Sequence, residues 1–375
     1  MTFRYAVALL CLILVVLNFI SIGLAMRRPR KTLLPAPADA PPVSIVRPVC
    51  GIDNFCEETL GSSFRLAYPS YEVIFCVARA SDPVVPVVEK LIAAHPEVPA
   101  RLIVGDENVS ANPKLNNCVR GWDAARNDWI ALADSNVLMP RDFVQRLLAS
   151  WDATTGLVCS MPQGSHPKNI WAEFEIAFLN TYQSRWQYAA HGVGTGFAQG
   201  KVMFWRRDIL DADGGIRALA AEIAEDAAST KLVRRAGLNV NLVDSPFQQP
   251  LGRRSFMDVW HRQIRWARMR RKTFPAYYLP EILAGNATPA LVGAYAAELV
   301  GWNVPLTASL VLLSLWCSEA ILAFANRWHF SWRMPFLFLL RDLMQPAIYL
   351  DAWLMDDFVW RGTAMSVREE EMPST

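Results

Sequence analysis

"WIALADSNVLMPRDF", residues 129–143, passes in one step from an apolar run, Trp129 to Ala133, to an acid, Asp134. A short apolar run bounded by loop-forming residues reads as a buried strand. An acid directly behind such a strand stands at the edge of the sheet, with no obvious helix start to cap. Two carboxylates one residue apart would grip a divalent metal; here the second position is Asn136. Asp134 is therefore a loop cap, half of a metal motif, or part of a site whose other acids lie elsewhere.

The same pattern repeats on either side of this strand. "VSIVRPV" (43–49), "YEVIFCVA" (71–78), "ARLIVG" (100–105) and "GLVCSMP" (156–162) read as further strands. Helical stretches over about 55–65, 84–95 and 114–125 separate them. Short apolar strands alternating with helices imply an α/β fold with a parallel-rich sheet covered on both faces. In such sheets ligands bind beyond the carboxyl ends of the strands, where Asp82 and Asp134 fall. Alone, Asp82 reads as a loop residue capping the helix after Pro83. The Glu225–Asp226 pair reads as the solvated face of an amphipathic helix over 221–237, and a lone His191 reads as structural before it reads as a ligand.

The 375-residue chain is 53% hydrophobic with 14 Trp and a formal net charge of +2, a balance that points to no nucleic-acid partner. Its seven cysteines form no CxxC pair, which argues against a zinc cluster or a disulfide framework. Membrane segments account for the apolar excess. Residues 5–26 carry no charged side chain and are long enough to cross a hydrocarbon core of ~30 Å; "RRPRK" follows, which predicts a cytoplasmic side there. Asn303 and Pro305 divide residues 288–325 into two apolar stretches that read as a helical hairpin. A third stretch, 334–358, carries Arg341, Asp342, Asp351, Asp356 and Asp357, charges that are costly in a bilayer unless they face other helices or the interface. Between the domain and the hairpin, residues 253–272 hold eight Lys/Arg against the single Asp258, interleaved with Trp260, Trp266 and Met269: a basic amphipathic helix expected at an anionic lipid surface.

In order along the chain, "VSIVRPVCGID", "LAYPSYEVIFCVARASDP", "ANPKLNN", "LADSN", "TGFAQGKVMFWRRDIL", "AEDAASTKL" and "RQIRW" resemble the ceramide glucosyltransferases, glycosyltransferase family 21. The family pattern is three separated aspartates followed by (Q/R)xxRW. The resemblance implies a GT-A nucleotide-sugar-binding domain with N- and C-terminal transmembrane helices. It implies that Asp82 meets the uridine of a UDP-sugar, that Lys114 lies near the nucleotide, and that Asp134 lies at a divalent metal (Mg2+ or Mn2+) and the diphosphate. Asp226 becomes the catalytic base, and Arg262, Arg265 and Trp266 fill the RxxRW pattern. The stretch 161–196 matches only loosely and is where the lipid acceptor site is expected.

The organisation this implies is an anchor at 1–30, a linker at 31–42 and a catalytic domain at 43–252. Amphipathic interfacial helices follow at 253–285, then a membrane-associated region at 286–360 and a polar tail at 361–375. The function implied is inverting transfer of glucose from UDP-glucose to the primary hydroxyl of ceramide, on the cytoplasmic face of a membrane. The Ala/Arg-rich composition leans towards a bacterial inner membrane. The alternatives are another UDP-sugar (galactose, glucuronate or N-acetylglucosamine), another lipid such as a hopanoid or diacylglycerol, or a catalytically silent membrane scaffold.

Overall fold

A computed structural model describes residues 3–27, 33–360 and 363–368. Arg28, Arg30 and Lys31 of the basic run, on which the cytoplasmic expectation rests, lie outside the described residues, as does most of the tail at 361–375. The chain divides into two compact units: Arg28–His166 with Ala190–Gly252, and Met1–Arg27 with Pro167–Ala189 and Arg253–Thr375.

The first unit is built on strands β1 (Val43–Val49), β2 (Tyr71–Val77), β3 (Ala100–Val104), β4 (Trp129–Ala133), β5 (Thr155–Ser160), β6 (Gln163–Pro167), β7 (Val202–Arg206), β8 (Asn239–Leu242) and β9 (Gln248–Gly252). Seven of them form one sheet in the order β3-β2-β1-β4-β7-β5-β8, while β6 and β9 pair separately. β1 to β4 run parallel, and β5 is parallel to β8; β7 runs antiparallel between β4 and β5. The expectation of a parallel-rich sheet thus holds, with two strands of this sheet, β7 and β8, that the apolar pattern did not announce. β1 is buried along its whole length, as near-continuous apolar strands covered on both faces should be.

The helix Pro113–Ala124 starts where Asn112 accepts hydrogen bonds from the backbone N–H of Lys114 (3.0 Å) and Leu115 (3.2 Å), with Pro113 in its first turn. Both are favoured start signals. Gly121 on this helix lets it press onto the sheet: a Cβ there would run into Cys76 and come within 2.6 Å of Val46 Cγ1. Asn117, buried beneath the helix, donates to the carbonyls of Cys76 (2.7 Å) and Val49 (3.3 Å) at the ends of β2 and β1.

In the second unit, the helix Phe3–Met26 packs with Ala287–Val300 and Val304–Ala325. Asn303 caps the last of these by accepting from Leu306 N (2.9 Å), and Gly301 ends the preceding helix in a left-handed conformation. Phe3–Met26 and Val304–Ala325 are long and apolar enough to cross a membrane, and only 22% and 28% of their apolar windows are buried; a soluble core helix would be mostly buried. A further helix, Met334–Leu354, turns its charges inward. Arg341 and Asp342 are buried, and Arg341 pairs with Glu319 of Val304–Ala325 (2.7 Å), which also meets Arg185 (3.3 Å). Phe336, Leu343, Leu350 and Leu354 on the same helix are exposed. Charges facing protein and an apolar stripe facing out are the arrangement that a bilayer tolerates.

Candidate active site

Asp134 follows β4 directly, and the antiparallel β7 begins beside it, Ala133 pairing with Val202. That register brings Lys201, the residue before β7, to the same edge, where the Asp134 N–H donates to the Lys201 carbonyl at 3.0 Å. The two side chains meet as well, Lys201 Nζ lying 2.8 Å from Asp134 Oδ2. The other carboxylate oxygen, Oδ1, is 2.7 Å from Lys114 Nζ. Burial alone would push the Asp134 pKa up, but the two ammoniums outweigh it and hold the carboxylate well below its usual range.

Lys114 reaches further. Its Nζ is 2.7 Å from Glu225 Oε1 and donates to the Gly200 carbonyl. Burial opposes its charge, yet Asp134 and Glu225 raise its pKa above the ordinary lysine value. Glu225 is further fixed by Asn112 Nδ2, which donates to Oε2 at 2.6 Å. The helix Glu225–Arg235 begins at this point, so both acids lie in its first turn instead of on a solvated face further along. Asp226 Oδ2 accepts from Gly200 N at 3.0 Å. Gly200 is required by the crowding: a Cβ would come within 2.7 Å of Glu225 Oε1 and 3.1 Å of Lys114 Nζ. Desolvation, then the neighbouring Glu225, raise the Asp226 pKa to about 7, against the opposing pull of Lys114. A carboxyl poised near neutrality is what a general base requires.

Asp82 accepts from Val84 N at 2.9 Å in the turn ahead of the helix Val85–Ala94, whose N-cap is Val84 and not Asp82, and it also accepts from Gly51 N at 2.9 and 3.1 Å. It thereby ties the loop after β1 to the loop after β2 at the same sheet edge. His191, at the end of the helix Arg185–Gly192, has its Nε2 3.4 Å from Asn241 Oδ1 on β8.

Two residues that the motifs did not flag complete this edge. One is Lys201. The other is Arg47, fully buried in the middle of β1. It donates to the carbonyls of Thr59 (2.7 Å), Asp134 (2.8 Å), Ser135 (3.0 Å) and Val137 (2.9 Å), and to Ser63 Oγ (2.6 Å). Burial lowers its pKa to about 9, with Asp134 opposing, so it stays charged at neutral pH. An Arg47→Met variant leaves these acceptors unmet, and we expect a loss of at least ~3 kcal/mol of stability, read in a denaturant melt. An unchanged midpoint would show that water replaces the guanidinium.

The RxxRW residues belong to the other unit, on the helix Phe256–Thr273, which opens on a Ser255–Asp258 capping box. Glu175 pairs with Arg262 and with Arg254 (3.1 Å). The Arg262 guanidinium lies 5.8 Å from the Trp266 ring centroid. Arg268 pairs with Asp351 (2.6 Å), Arg270 with Glu281 (2.6 Å) and Arg271 with Asp356. Much of the positive charge expected to face lipid is thus matched by acids of the same unit. Among the described residues no group of three or more His, Cys, Asp or Glu is gathered to hold a metal. Asp134 is the right type of donor for a hard cation shared with phosphates, but both of its oxygens carry an ammonium, so the arrangement as it stands does not fit a metal.

A family model described as Glycosyl transferase family 21 matches residues 5–372. Ceramide glucosyltransferase 1 of Caenorhabditis elegans is 26% identical over 330 residues, 86% of this chain and 71% of that protein. Ceramide glucosyltransferase 3 of the same organism is 28% identical over 332 residues, covering 86% and 72%. The mannosyltransferase PcManGT from Pyrobaculum calidifontis, solved with GDP-Man and Mn2+, is 18% identical with a TM-score of 0.52 over 94% of this chain and 96% of that one. That likeness is one of fold, the GT-A sheet with its mostly parallel strands. With a family match spanning nearly its whole length, the chain belongs to glycosyl transferase family 21.

Proposed function

We propose that the protein transfers glucose from UDP-glucose to the primary hydroxyl of ceramide, with inversion at the anomeric carbon. The observation that supports this most is the cluster in which Lys114 bridges Asp134 and Glu225 beside an Asp226 carboxyl raised to about 7. In the proposed step the acceptor oxygen attacks the anomeric carbon while the bond from that carbon to the diphosphate oxygen breaks, the electron pair leaving with UDP. Asp226 takes the hydroxyl proton as the new bond forms. Lys114 and Lys201 meet the negative charge growing on the diphosphate, as preorganised cations do in other transfers of this kind. Asp82 holds the uridine end. For Arg262, Arg265 and Trp266 we propose the roles that the family pattern gives them, positive charge for the departing diphosphate and a ring that excludes water.

A Mg2+ or Mn2+ ion held by Asp134 and the donor's own phosphates would supply Lewis-acid stabilisation of the leaving group. The lysines occupy both oxygens that would hold it, and the steps above do not depend on it. The membrane reading accompanies the acceptor. A substrate with two hydrocarbon tails must present its hydroxyl at a bilayer surface, and two helices here are long and apolar enough to span one. We place the catalytic unit on the cytoplasmic face of a multi-pass protein, in a bacterial inner membrane.

The test is incubation of membranes from an expressing host with labelled UDP-sugars and a lipid panel, with products identified by mass spectrometry. Glucosylceramide is the expected product. Glycosylation of diacylglycerol or a hopanoid instead would replace the acceptor, and a different labelled sugar would replace the donor. No labelled lipid at all would favour the silent scaffold.

A further inference from the structure

Glu175 is buried on the helix Ile170–Phe178, and two guanidiniums of the same unit converge on its carboxylate. Arg254 Nε donates to Oε2 at 3.1 Å, and Arg262 Nη1 lies against Oε1. A buried carboxylate needs a partner, but a single arginine can take both of its oxygens and would be enough. Here the oxygens are divided between two arginines, and the second is the first residue of the RxxRW motif. Arg262 carries that hold onward. Trp266 stands one turn further along Phe256–Thr273, its ring centroid 5.8 Å from the Arg262 guanidinium.

The segment around Glu175 receives the start of this helix. Asn169 caps Ile170–Phe178 by accepting from Ala172 N at 3.2 Å. The same side chain grips the Arg254 backbone twice, Oδ1 accepting from Arg254 N (3.1 Å) and Nδ2 donating to the Arg254 carbonyl (2.7 Å). Trp171 and Glu175 lie four residues apart, on one side of their helix, and Trp171 meets Phe256 edge to face with 5.3 Å between centroids. These ties dock the helix start without Arg262. Asp258, one turn before Arg262, is exposed and occupied with the cap, accepting from Ser255 N at 2.7 Å. What Glu175 adds by holding Arg262 as well is preorganisation: an arginine fixed before its ligand arrives has less rotamer freedom left to lose on binding.

We propose that Glu175 is a positioning residue for the RxxRW motif, fixing the Arg262 guanidinium and, through it, the face of Trp266. This rests on the roles proposed above for Arg262 and Trp266. A negative charge by itself repels a diphosphate, so its deletion would on Coulombic grounds tighten UDP binding. A carboxylate that holds Arg262 in place has the opposite effect, and its deletion weakens UDP binding.

UDP affinity by calorimetry and kcat, both read on the full chain in nanodiscs, test the proposal. Glu175→Gln keeps the size of the side chain and drops its charge. We expect UDP to bind about tenfold more weakly and kcat to fall by about as much, within what a misplaced group costs. Unchanged or tighter binding overturns the proposal. Because two arginines then face an amide, Glu175→Gln is paired with Glu175→Gln/Arg254→Gln, in which one guanidinium leaves together with the carboxylate charge. That double variant should melt above Glu175→Gln and still bind UDP about tenfold more weakly than the wild type. Recovered affinity would mean that Glu175 only balances charge, and would overturn it. Arg254→Gln alone keeps the contact between Glu175 and Arg262, and should leave affinity and kcat within about twofold. A loss as large as that of Glu175→Gln would place the effect in docking of the helix start instead. In an Arg262→Gln background, Glu175→Gln should cost less than about twofold, since nothing remains for it to hold. The two readings fail separately. Arg262→Gln that binds UDP and turns over as the wild type does removes the RxxRW roles, and the role of Glu175 with them. Arg262→Gln that is impaired, with the full loss of Glu175→Gln added to it, removes the role of Glu175 alone.

Discussion

Asp226→Asn is expected to lower kcat by about 10³-fold, within the range that positioned general bases supply, while UDP still binds. Asn keeps an oxygen that can accept from Gly200 N but takes no proton from the acceptor. In the wild type, kcat should rise with pH through about 7, because only the ionised carboxyl acts as a base and its pKa lies there. The variant should lose that limb of the profile. Stability should move the other way. A folded-state pKa of about 7 stands above the unfolded value of about 3.9, so the folded chain binds the extra proton between those values. The associated stability is present below the unfolded pKa and is lost as pH rises through 7. Asn removes that loss. The variant should therefore melt above the wild type at pH 8, with the gap closing towards pH 4. Loss of UDP affinity in Asp226→Asn would make Asp226 a donor ligand and leave the base unassigned.

How much of this could be read from the chain alone follows from how local each signal is. β1, β2, β3, β4 and β5 were legible because each is a short apolar run bounded by polar turns, and Asp134 was placed at the sheet edge by that rule alone. β7 was not, although "KVMFWRRDIL" was part of the motif set. Its apolar residues fit a strand, but nothing local says that it enters antiparallel between β4 and β5. Lys201 was missed for the same reason, since its partner Asp134 is 67 residues away in sequence and meets it only through that strand pairing. Arg47 carried a usable signal, a cation inside "VSIVRPV", since a charge in a fully buried strand must have partners. Glu225 and Asp226 looked like a solvated pair because the helix was read from 221; it starts at Glu225, and that shift turns both acids towards Lys114. The charges of 334–358 were recognised as costly, but Glu319, which pairs with Arg341, lies on another helix of the same unit.

Lys114→Met is expected to be the most damaging of the cation changes, and its signature is electrostatic. The ammonium contacts Asp134, Glu225 and the Gly200 carbonyl at once. Removing one member of a buried charge cluster typically costs about 3–5 kcal/mol, so the folded chain should be clearly less stable. Lys114 also lowers the Asp226 pKa. Without it the carboxyl should stay protonated to higher pH, and the midpoint of the kcat profile should move above 7. Donor binding should weaken as well, because one of two cations facing the diphosphate is gone. Lys201→Met separates these effects. Lys201 is paired with Asp134 Oδ2, whereas burial, Glu225 and Lys114 are the main influences on the Asp226 pKa, so its loss should move the midpoint less than the loss of Lys114 does. It does free one carboxylate oxygen, and a Mg2+ or Mn2+ titration of UDP affinity should then show a stronger metal dependence than in the wild type. A midpoint that stays at 7 in Lys114→Met would break the link drawn here between the donor cations and the base. A metal dependence unchanged in Lys201→Met would mean that the lysine and a divalent ion do not compete for Asp134.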